Sequence, residues 1–323
     1  MADQKLHPSL SRPSAQSVAF VLTVTAASIA TLPNIFSTID SVATIEICTT
    51  PLFPEYLSRS SLGWIRLGFS FFIGIVAVCR CFGPMVALHV HYLKGSKLTR
   101  SLVFVGGLRT QAMFTSWSWN LLGISFAFSG LLTLYVDDSS RKYNRDEMMA
   151  LPYIQWALRA SILLFEISAP VAMLVSAVIK YAIWPRALAS KEGNTSSLKD
   201  NLTLFQHNSN IIMSLMEAGL LGGLPIRLAD IALAPLFGVT YIFFSWGMRF
   251  KWIPGETHFI YFFLDTTLGK TSTIALMALT AILMMFHGIF TLVDDFIALF
   301  GEGVLINSTI VVILSCLFCR FRD

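Results

Sequence analysis

Long apolar runs separated by short polar connections divide this chain, and that pattern limits it to few architectures. A helix needs about 20 residues to cross the hydrocarbon core of a bilayer. Eight runs approach that length, near residues 17–38, 62–84, 113–136, 157–183, 208–224, 230–248, 271–293 and 297–319. Only 13% of the 323 residues are charged, against about 25% in soluble domains. The pattern predicts an all-α fold, a polytopic bundle of about eight membrane-spanning helices.

The first apolar run has the length of a retained span. Residues 1–16 are polar, and the run at 17–38 follows them. The apolar core of a cleaved signal peptide is about 7 to 15 residues long and ends at a small-residue cleavage site. Because this run is longer and has no clear cleavage site, we expect it to remain as the first membrane span.

The basic residues predict the orientation of the bundle. If the N-terminus is cytoplasmic, the inside segments hold Lys5, Arg12, Lys94, Lys97, Arg100, Arg109, Arg186, Lys191, Lys199, Arg249, Lys251, Lys270, Arg320 and Arg322. The outside segments then hold only Arg59, Arg141, Lys142, Arg145 and Arg227. Basic residues accumulate in cytoplasmic loops, so both termini are predicted to be cytoplasmic, in an endomembrane such as the endoplasmic reticulum or in the plasma membrane. The glycosylation motifs at Asn194 and Asn201 would then carry no glycan.

Charge and cysteine patterns predict neither a cofactor nor a nucleic-acid partner. No block of Lys and Arg is dense enough for nucleic acid. Cys316 and Cys319 form a CxxC pattern, but on an apolar helix without histidine or a second pair it is weak evidence for a metal. We therefore expect no metal site.

Ionisable residues inside apolar runs are functional candidates, because each costs at least about 2.5 kcal/mol to insert. They are Arg66, Arg159, Glu166, Lys180, Glu217 and His287. Arg66 and Lys180 lie near the ends of their runs and are predicted to reach the interface. Glu166 either pairs with Arg159 or has a function. Glu217 lines a cavity, pairs with Arg159 or is protonated by burial.

Thr115 and His207 open the third and fifth apolar runs. Helices of odd number run in the same direction, so both residues are expected at the same face of the membrane. On helices of opposite direction they would lie about 30 Å apart. A threonine hydroxyl becomes a nucleophile when a base such as neutral imidazole takes its proton. The alternatives are a capping hydroxyl at Thr115 and an interface residue at His207.

Five groups of residues then occur in a fixed order along the chain. They are Phe114 to Leu122 (FTSWSWNLL), Trp156 to Leu158 leading to Ala169, Pro170 and Val171, His207 followed ten residues later by Glu217, Tyr241 with Trp246, and Tyr261 to Asp265 followed by Gly269. In order and spacing, residues 62–295 resemble the androgen-induced gene and androgen-dependent TFPI-regulating protein family. Three positions depart from the family pattern, at Gln206, Asn208 and Phe262.

The resemblance implies a fold, an activity and roles for residues. It implies a six-helix hydrolase-like membrane domain at 62–295, with an additional span and loop at 17–61 and an additional span and short tail at 296–323. Members of the family are multi-pass threonine hydrolases that cleave fatty acid esters of hydroxy fatty acids. By analogy Thr115 is the nucleophile and His207 the base, and the lipid ester enters from the bilayer. We assign oxyanion or cavity-lining roles to Trp117, Asn120 and Glu217.

Two other functions remain open at this point. In a transporter or channel, Glu166, Glu217 and His287 would form a polar path. The chain lacks the inverted repeats that mark many transporters, which counts against this alternative. The third hypothesis is a membrane scaffold that keeps the hydrolase fold without its activity.

Overall fold

The prediction of an all-α polytopic bundle is confirmed by the computed structural model, which describes residues 12–90, 92–98, 102–140, 142–189, 195–252, 258–300 and 303–320. Six helices in these ranges are long and apolar enough to cross a membrane. They are Ala15–Ser41, Arg59–Phe82, Phe114–Ser139, Pro152–Ala189, Leu228–Met248 and Lys270–Phe300. The chain is therefore an integral multi-pass membrane protein. Lys5, Arg100, Arg141, Lys191, Asn194 and Arg322, which entered the orientation prediction, lie outside the described residues.

The helices follow one another with short connections. They are α1 (Ala15–Thr38), α2 (Ile45–Thr49), α3 (Arg59–Phe82), α4 (Phe114–Ser139), α5 (Arg145–Met149), α6 (Pro152–Val178), α7 (Trp184–Ala189), α8 (Ser196–Lys199), α9 (Asn201–Gly219), α10 (Leu233–Met248), α11 (Lys270–Phe300) and α12 (Val304–Phe318). A π-helical turn, Ile179–Ile183, joins α6 to α7. Strands β1 (Val86–His89) and β2 (Leu102–Val105) pair antiparallel, with Val86 opposite Val105.

The long helices alternate in direction, which gives the bundle two distinct ends. We call the end where α1 begins and α12 ends the proximal end, and the opposite one the distal end. At the proximal end, the amide N–H of Arg320 donates to Asn208 Oδ1 at 3.0 Å. At the distal end, Asn307 Nδ2 donates to the Gly219 carbonyl at 2.7 Å. These two contacts hold α12 antiparallel to α9 along its length.

The fifth, seventh and eighth predicted runs differ from the helices. The fifth run, 208–224, corresponds to α9, which begins at Asn201 and ends at Gly219. Because the polar residues Gln206 to Asn210 interrupt its apolar sequence, α9 is not among the six apolar spans. The predicted division between the seventh and eighth runs, at Asp294 and Asp295, lies inside α11. The Asp294 carboxylate accepts the Ile226 N–H at 3.0 Å and Asp295 is exposed, so neither ends the helix.

Helix α6 occupies the centre of the bundle. In its most apolar window 78% of the residues are buried, against 17% for the peripheral span that contains α1. Helices α4, α9, α10 and α11 pack around it. Pro170, in the middle of α6, removes one backbone hydrogen bond there. Because four helices pack on α6, side chains from distant parts of the sequence can meet beside it.

The β-hairpin and the loop before α11 together cover the proximal end. The Tyr92 hydroxyl hydrogen-bonds the His258 ring, and Ser96 Oγ donates to Asp265 Oδ2 at 2.5 Å. The Asp265 carboxylate also accepts the Thr267 N–H at 2.9 Å. These bonds fix the segment that contains Tyr261 against the start of α4.

Candidate active site

Thr115 is the second residue of α4 and lies beside the hydroxyl of Tyr261. The Tyr261 hydroxyl accepts the Phe114 N–H at 3.2 Å, and both the side chain and the backbone of Thr115 interact with the same hydroxyl. The N-cap position belongs to Met113. The alternative that Thr115 is the helix-capping hydroxyl is therefore wrong, because Thr115 lies two residues after the N-cap and its side chain is against a tyrosine.

Tyr261 supplies a neutral hydroxyl at this place. Burial raises the pKa of Tyr261, and the Thr115 side chain and the Phe114 amide partly oppose that rise. A tyrosine with a raised pKa keeps its proton at neutral pH and is both a donor and an acceptor. We did not select Tyr261 from the sequence, although it stands in the aromatic loop that carries the family resemblance.

An aromatic wall continues from this hydroxyl. The Tyr241 hydroxyl donates to the Ala112 carbonyl at 3.1 Å, and the Tyr241 ring lies 5.0 Å from Phe114 and 5.3 Å from Trp117 between centroids. Trp117 also contacts Phe244 at 4.7 Å. Trp117 is thus part of an apolar surface next to Thr115, which suits an acyl chain better than an oxyanion.

His207 is buried in the second turn of α9. Its ring lies near the guanidinium groups of Arg80 and Arg320, which would repel a positive charge on the imidazole. Arg80, from α3, also binds the start of α9, with Nε donating to Gln206 Oε1 at 3.3 Å and Nη2 donating to Thr203 Oγ1. Arg80 therefore fixes the helical turns that carry His207.

Thr115 and His207 both lie at the proximal end of the bundle, where α4 and α9 begin. Ser176 Oγ donates to the His207 carbonyl at 2.5 Å, while Phe114 packs in one apolar cluster with Val175. Within the described ranges no hydrogen bond joins the Thr115 hydroxyl to the His207 ring. The structure thus brings the two residues to the same end of the bundle, without a direct hydrogen bond between them.

The other polar groups at the start of α4 are held by their own neighbours. Asn120 Nδ2 donates to Gln111 Oε1 at 3.0 Å. Ser116 Oγ donates to the Thr110 carbonyl at 2.7 Å, which turns this hydroxyl away from Thr115. Ser116 is consequently a matched neighbour with which to compare Thr115.

Glu217 lies far along α9 from His207 and forms an ion pair with Arg66. Both side chains are fully buried, with Arg66 Nε 3.1 Å from Glu217 Oε2 and Nη2 2.5 Å from Oε1. Arg66 Nη1 also donates to the Cys48 carbonyl and to Thr133 Oγ1. The prediction that Arg66 reaches the interface is wrong. The free-energy cost of burying the Arg66 charge is offset by the carboxylate of Glu217 and by two further acceptors.

Glu166 and His287 meet around Arg227 and not around Arg159. Arg227 Nε lies 3.3 Å from Glu166 Oε1, and His287 Nε2 lies 3.0 Å from the Arg227 carbonyl. Arg159 instead binds Asp40 through Nε at 2.7 Å. The described contacts therefore hold Glu217 and Glu166 in two separate ion pairs, and the polar path of the transport hypothesis is divided.

Lys180 lies at the proximal end, where its side chain reaches the end of α12. Lys180 Nζ donates to the Cys316 and Leu317 carbonyls, each at 2.8 Å. The prediction of an end position is confirmed for this residue.

Across the described part of the chain, no three His, Cys, Asp or Glu side chains are grouped so as to hold a metal ion.

Comparisons of the chain with family models, with curated proteins and with solved structures found no match.

Proposed function

We propose that this membrane protein is a lipid esterase in which Thr115 is the nucleophile and His207 the general base. The observation that carries the proposal is the position of the Thr115 hydroxyl at the start of α4, beside Tyr261 and at the same end of the bundle as His207. The substrate class is a fatty acid ester of a hydroxy fatty acid, or a similar lipid ester. Such an ester partitions into the bilayer and enters between the helices.

The reaction proceeds through an acyl-threonine. Thr115 Oγ1 attacks the ester carbonyl carbon while His207 takes its proton. His207 gives this proton to the oxygen of the departing hydroxy acid, and the ester bond breaks. Water then attacks the acyl-threonine with His207 as base, which releases the fatty acid and restores the Thr115 hydroxyl.

Bound substrate must bring Thr115 and His207 closer together. Transfer of a proton from Thr115 Oγ1 to a ring nitrogen of His207 needs a separation of roughly 2.6 to 3.2 Å. Catalytic hydrogen bonds are often longer without substrate and tighten in the complex. An ester that lies between α4 and α9 would contact both Thr115 and His207. The free energy of its binding would then favour the shorter distance between the two residues.

The start of α4 supplies the oxyanion donors in this mechanism. The first amides of a helix have no partner within the helix, and they carry the positive end of its dipole. The Phe114 and Thr115 amides interact with the Tyr261 hydroxyl, so they act through it, and the proton of that neutral hydroxyl is the one offered to the oxyanion. Donors directed at the developing oxyanion contribute about 10²- to 10³-fold to the rate. The aromatic wall of Trp117, Tyr241 and Phe244 contacts an acyl chain.

For localisation, we propose an endomembrane such as the endoplasmic reticulum, or the plasma membrane, with both termini in the cytoplasm. The proximal end, which holds Thr115 and His207, then faces the cytoplasm. Fatty acid and hydroxy acid products would leave on that side or return to the inner leaflet. The partners in this proposal are the lipid ester and membrane lipids.

Purified protein and its Thr115→Ala and His207→Ala variants test the proposal. We expect hydrolysis of a branched fatty ester by the wild type, and a decrease of kcat/KM by at least about 10³-fold in either variant, as for other nucleophile–base pairs. A fluorophosphonate probe should label the wild type and should not label Thr115→Ala. The Ser116→Ala variant is the control, and it should keep both the activity and the labelling.

Equal hydrolysis in the wild type, Thr115→Ala and His207→Ala would overturn the esterase mechanism. Labelling that disappears in Ser116→Ala and persists in Thr115→Ala would show that Ser116, and not Thr115, is the nucleophile. Retention of the folded state in each variant is checked by thermal unfolding, so that loss of activity is not confused with loss of structure.

A further inference from the structure

A second buried polar centre lies between α6, α11 and the turn that precedes α10. We call it the Glu166 centre, and it consists of Glu166, Arg227, Asp230 and His287. Glu166, Asp230 and His287 are fully buried, while the Arg227 side chain is 15% exposed. The centre is therefore enclosed by protein except at the arginine, where it approaches the surface.

Arg227 organises the centre through its backbone and its side chain. Its N–H donates to Glu166 Oε1 at 3.0 Å, and its Nε donates to the same oxygen at 3.3 Å. Its Nη2 pairs with Asp230 Oδ2. Its carbonyl hydrogen-bonds His287 Nε2 at 3.0 Å, which requires the proton of the imidazole to be on Nε2. One arginine thus binds one oxygen of each carboxyl group.

The second oxygen of each carboxyl group is not bound by Arg227. Glu166 Oε2, Asp230 Oδ1 and His287 Nδ1 are buried, and none has a hydrogen-bond partner in the described structure. The carboxyl groups of Glu166 and Asp230 are also within hydrogen-bonding reach of each other. Two ionised carboxylates have only acceptor atoms, so this contact becomes a hydrogen bond when one of the two groups is protonated.

The charges around the centre do not balance without a further positive charge. Two carboxyl groups face a single guanidinium, and the imidazole is neutral with its proton on Nε2, because a second proton on the buried Nδ1 would have no acceptor. Asp294, on α11, adds a third carboxyl group nearby, where it accepts the Ile226 N–H. Arg66, which is also buried in the distal half, is bound to Glu217. Two carboxylates that share a buried site retain a proton between them.

We propose that Glu166 and Asp230 bind one proton between them, as a carboxyl–carboxylate hydrogen bond whose single negative charge is neutralised by Arg227. The proton exchanges with solvent, and the part of the centre nearest the surface is the Arg227 side chain, which is 15% exposed. When bound, the proton joins α6 to the turn before α10. When the proton leaves, the two carboxylates repel each other in a buried site. This repulsion weakens the contact between α6 and the turn before α10. The site acts apart from Thr115 and His207, so it does not rest on the esterase activity.

Infrared difference spectroscopy on the purified full-length chain tests this proposal. The detergent must contain no carbonyl group, since lipid esters absorb near protonated carboxyl groups. We expect the wild type at neutral pH to show the carbonyl band of a protonated carboxyl group, shifted in D₂O. Glu166→Gln and Asp230→Asn should each abolish the band, because the remaining carboxylate is ionised beside Arg227. Both substitutions preserve size, which favours folding.

Two control variants on α11 separate this site from its neighbours. Asp295→Asn removes an exposed carboxylate and should leave the band unchanged. If Asp294→Asn alone abolishes the band, the proton lies on that residue and the proposal is overturned. Absence of the band from the folded wild type, or its persistence in both Glu166→Gln and Asp230→Asn, would overturn it as well. The wild-type measurement keeps the proposal testable even when a variant fails to fold, because absence of the band from the folded wild type overturns it.

Discussion

The guanidinium of Arg66 and the carboxylate of Glu217 form a fully buried ion pair with two contacts, between α3 and α9. The two residues are 151 positions apart in sequence. Near them, Gly222 follows the end of α9, and no side chain fits there. Because both charges are buried, this pair is a polar link between the first half of the bundle and the second that is shielded from solvent.

Removing one partner of this pair should destabilise the protein severely. Arg66→Met or Glu217→Gln leaves an unpaired buried charge, which costs about 3 to 5 kcal/mol. Replacement of both with apolar residues should cost less than either single change. Denaturant unfolding in mixed micelles measures the difference. Arg159→Gln is the control, because its exposed pair with Asp40 should contribute at most about 1 kcal/mol.

Gly222→Ala should disturb the same ion pair without changing a charge. A Cβ atom at this position would lie 2.6 Å from Glu217 Oε1 and closer still to Arg66 Nη2. We expect destabilisation of about 1 to 3 kcal/mol, as for other overpacked sites. Gly247→Ala provides the comparison, because its Cβ would meet no atom within 4 Å and alanine favours the helix. A lower unfolding temperature for Gly247→Ala than for Gly222→Ala would contradict this explanation.

Tyr261→Phe should reduce ester hydrolysis with little change in fold. The substitution removes the hydroxyl that accepts the Phe114 N–H and contacts Thr115. If that hydroxyl is an oxyanion donor, kcat falls by about 10²-fold or more. Tyr92→Phe serves as a control, since it removes a hydroxyl from the same cover of the proximal end at a distance from Thr115. An unchanged kcat in Tyr261→Phe would exclude the tyrosine from the mechanism.

The raised pKa of Tyr261 also predicts an effect of alkaline pH on stability. Burial raises this pKa above its ordinary value of about 10. A raised folded-state pKa contributes stability that is complete below the unfolded pKa and is lost as the pH rises through the folded pKa. The free energy of unfolding should therefore decline above about pH 10 in the wild type, and the decline should be smaller in Tyr261→Phe.

Cross-linking measures the proximity of Thr115 and His207 directly. In a cysteine-free background, Thr115→Cys with His207→Cys should react efficiently with a short bifunctional thiol reagent. Thr115→Cys with Met216→Cys should not, because Met216 lies nine residues further along α9, roughly 14 Å along the helix axis. Equal yields from the two pairs would contradict the arrangement of α4 and α9.

Labelling of exposed positions at the two ends determines the orientation. Leu108, at the proximal end, and Tyr56, at the distal end, are 82% and 76% exposed, so they form a matched pair. If the termini are cytoplasmic, Tyr56→Cys reacts with a membrane-impermeant maleimide on intact cells or sealed vesicles of the correct polarity. Leu108→Cys then reacts only after permeabilisation. The reverse result would invert the proposed topology.

Several features of the fold follow from local sequence. The apolar run at 17–38 predicted a helix, and the structure has α1 at Ala15–Thr38, because a chain in lipid must satisfy its backbone hydrogen bonds internally. Counting runs also predicted that Thr115 and His207 lie at one end of the bundle, since the direction of each helix follows from alternation. Boundaries were less predictable. Asp294 continues α11 because a distant amide, that of Ile226, binds its carboxylate.

The sequence by itself therefore determined the membrane class, the number and direction of most helices, and the end at which Thr115 and His207 lie. Only the tertiary structure decided the partners of the polar groups, namely Arg66 with Glu217, Glu166 with Arg227 and Tyr261 with Thr115. The physical reason is that hydrophobic length fixes how a helix crosses the membrane. The rotation of that helix about its axis, which selects the neighbours of each side chain, depends on how all the helices pack together.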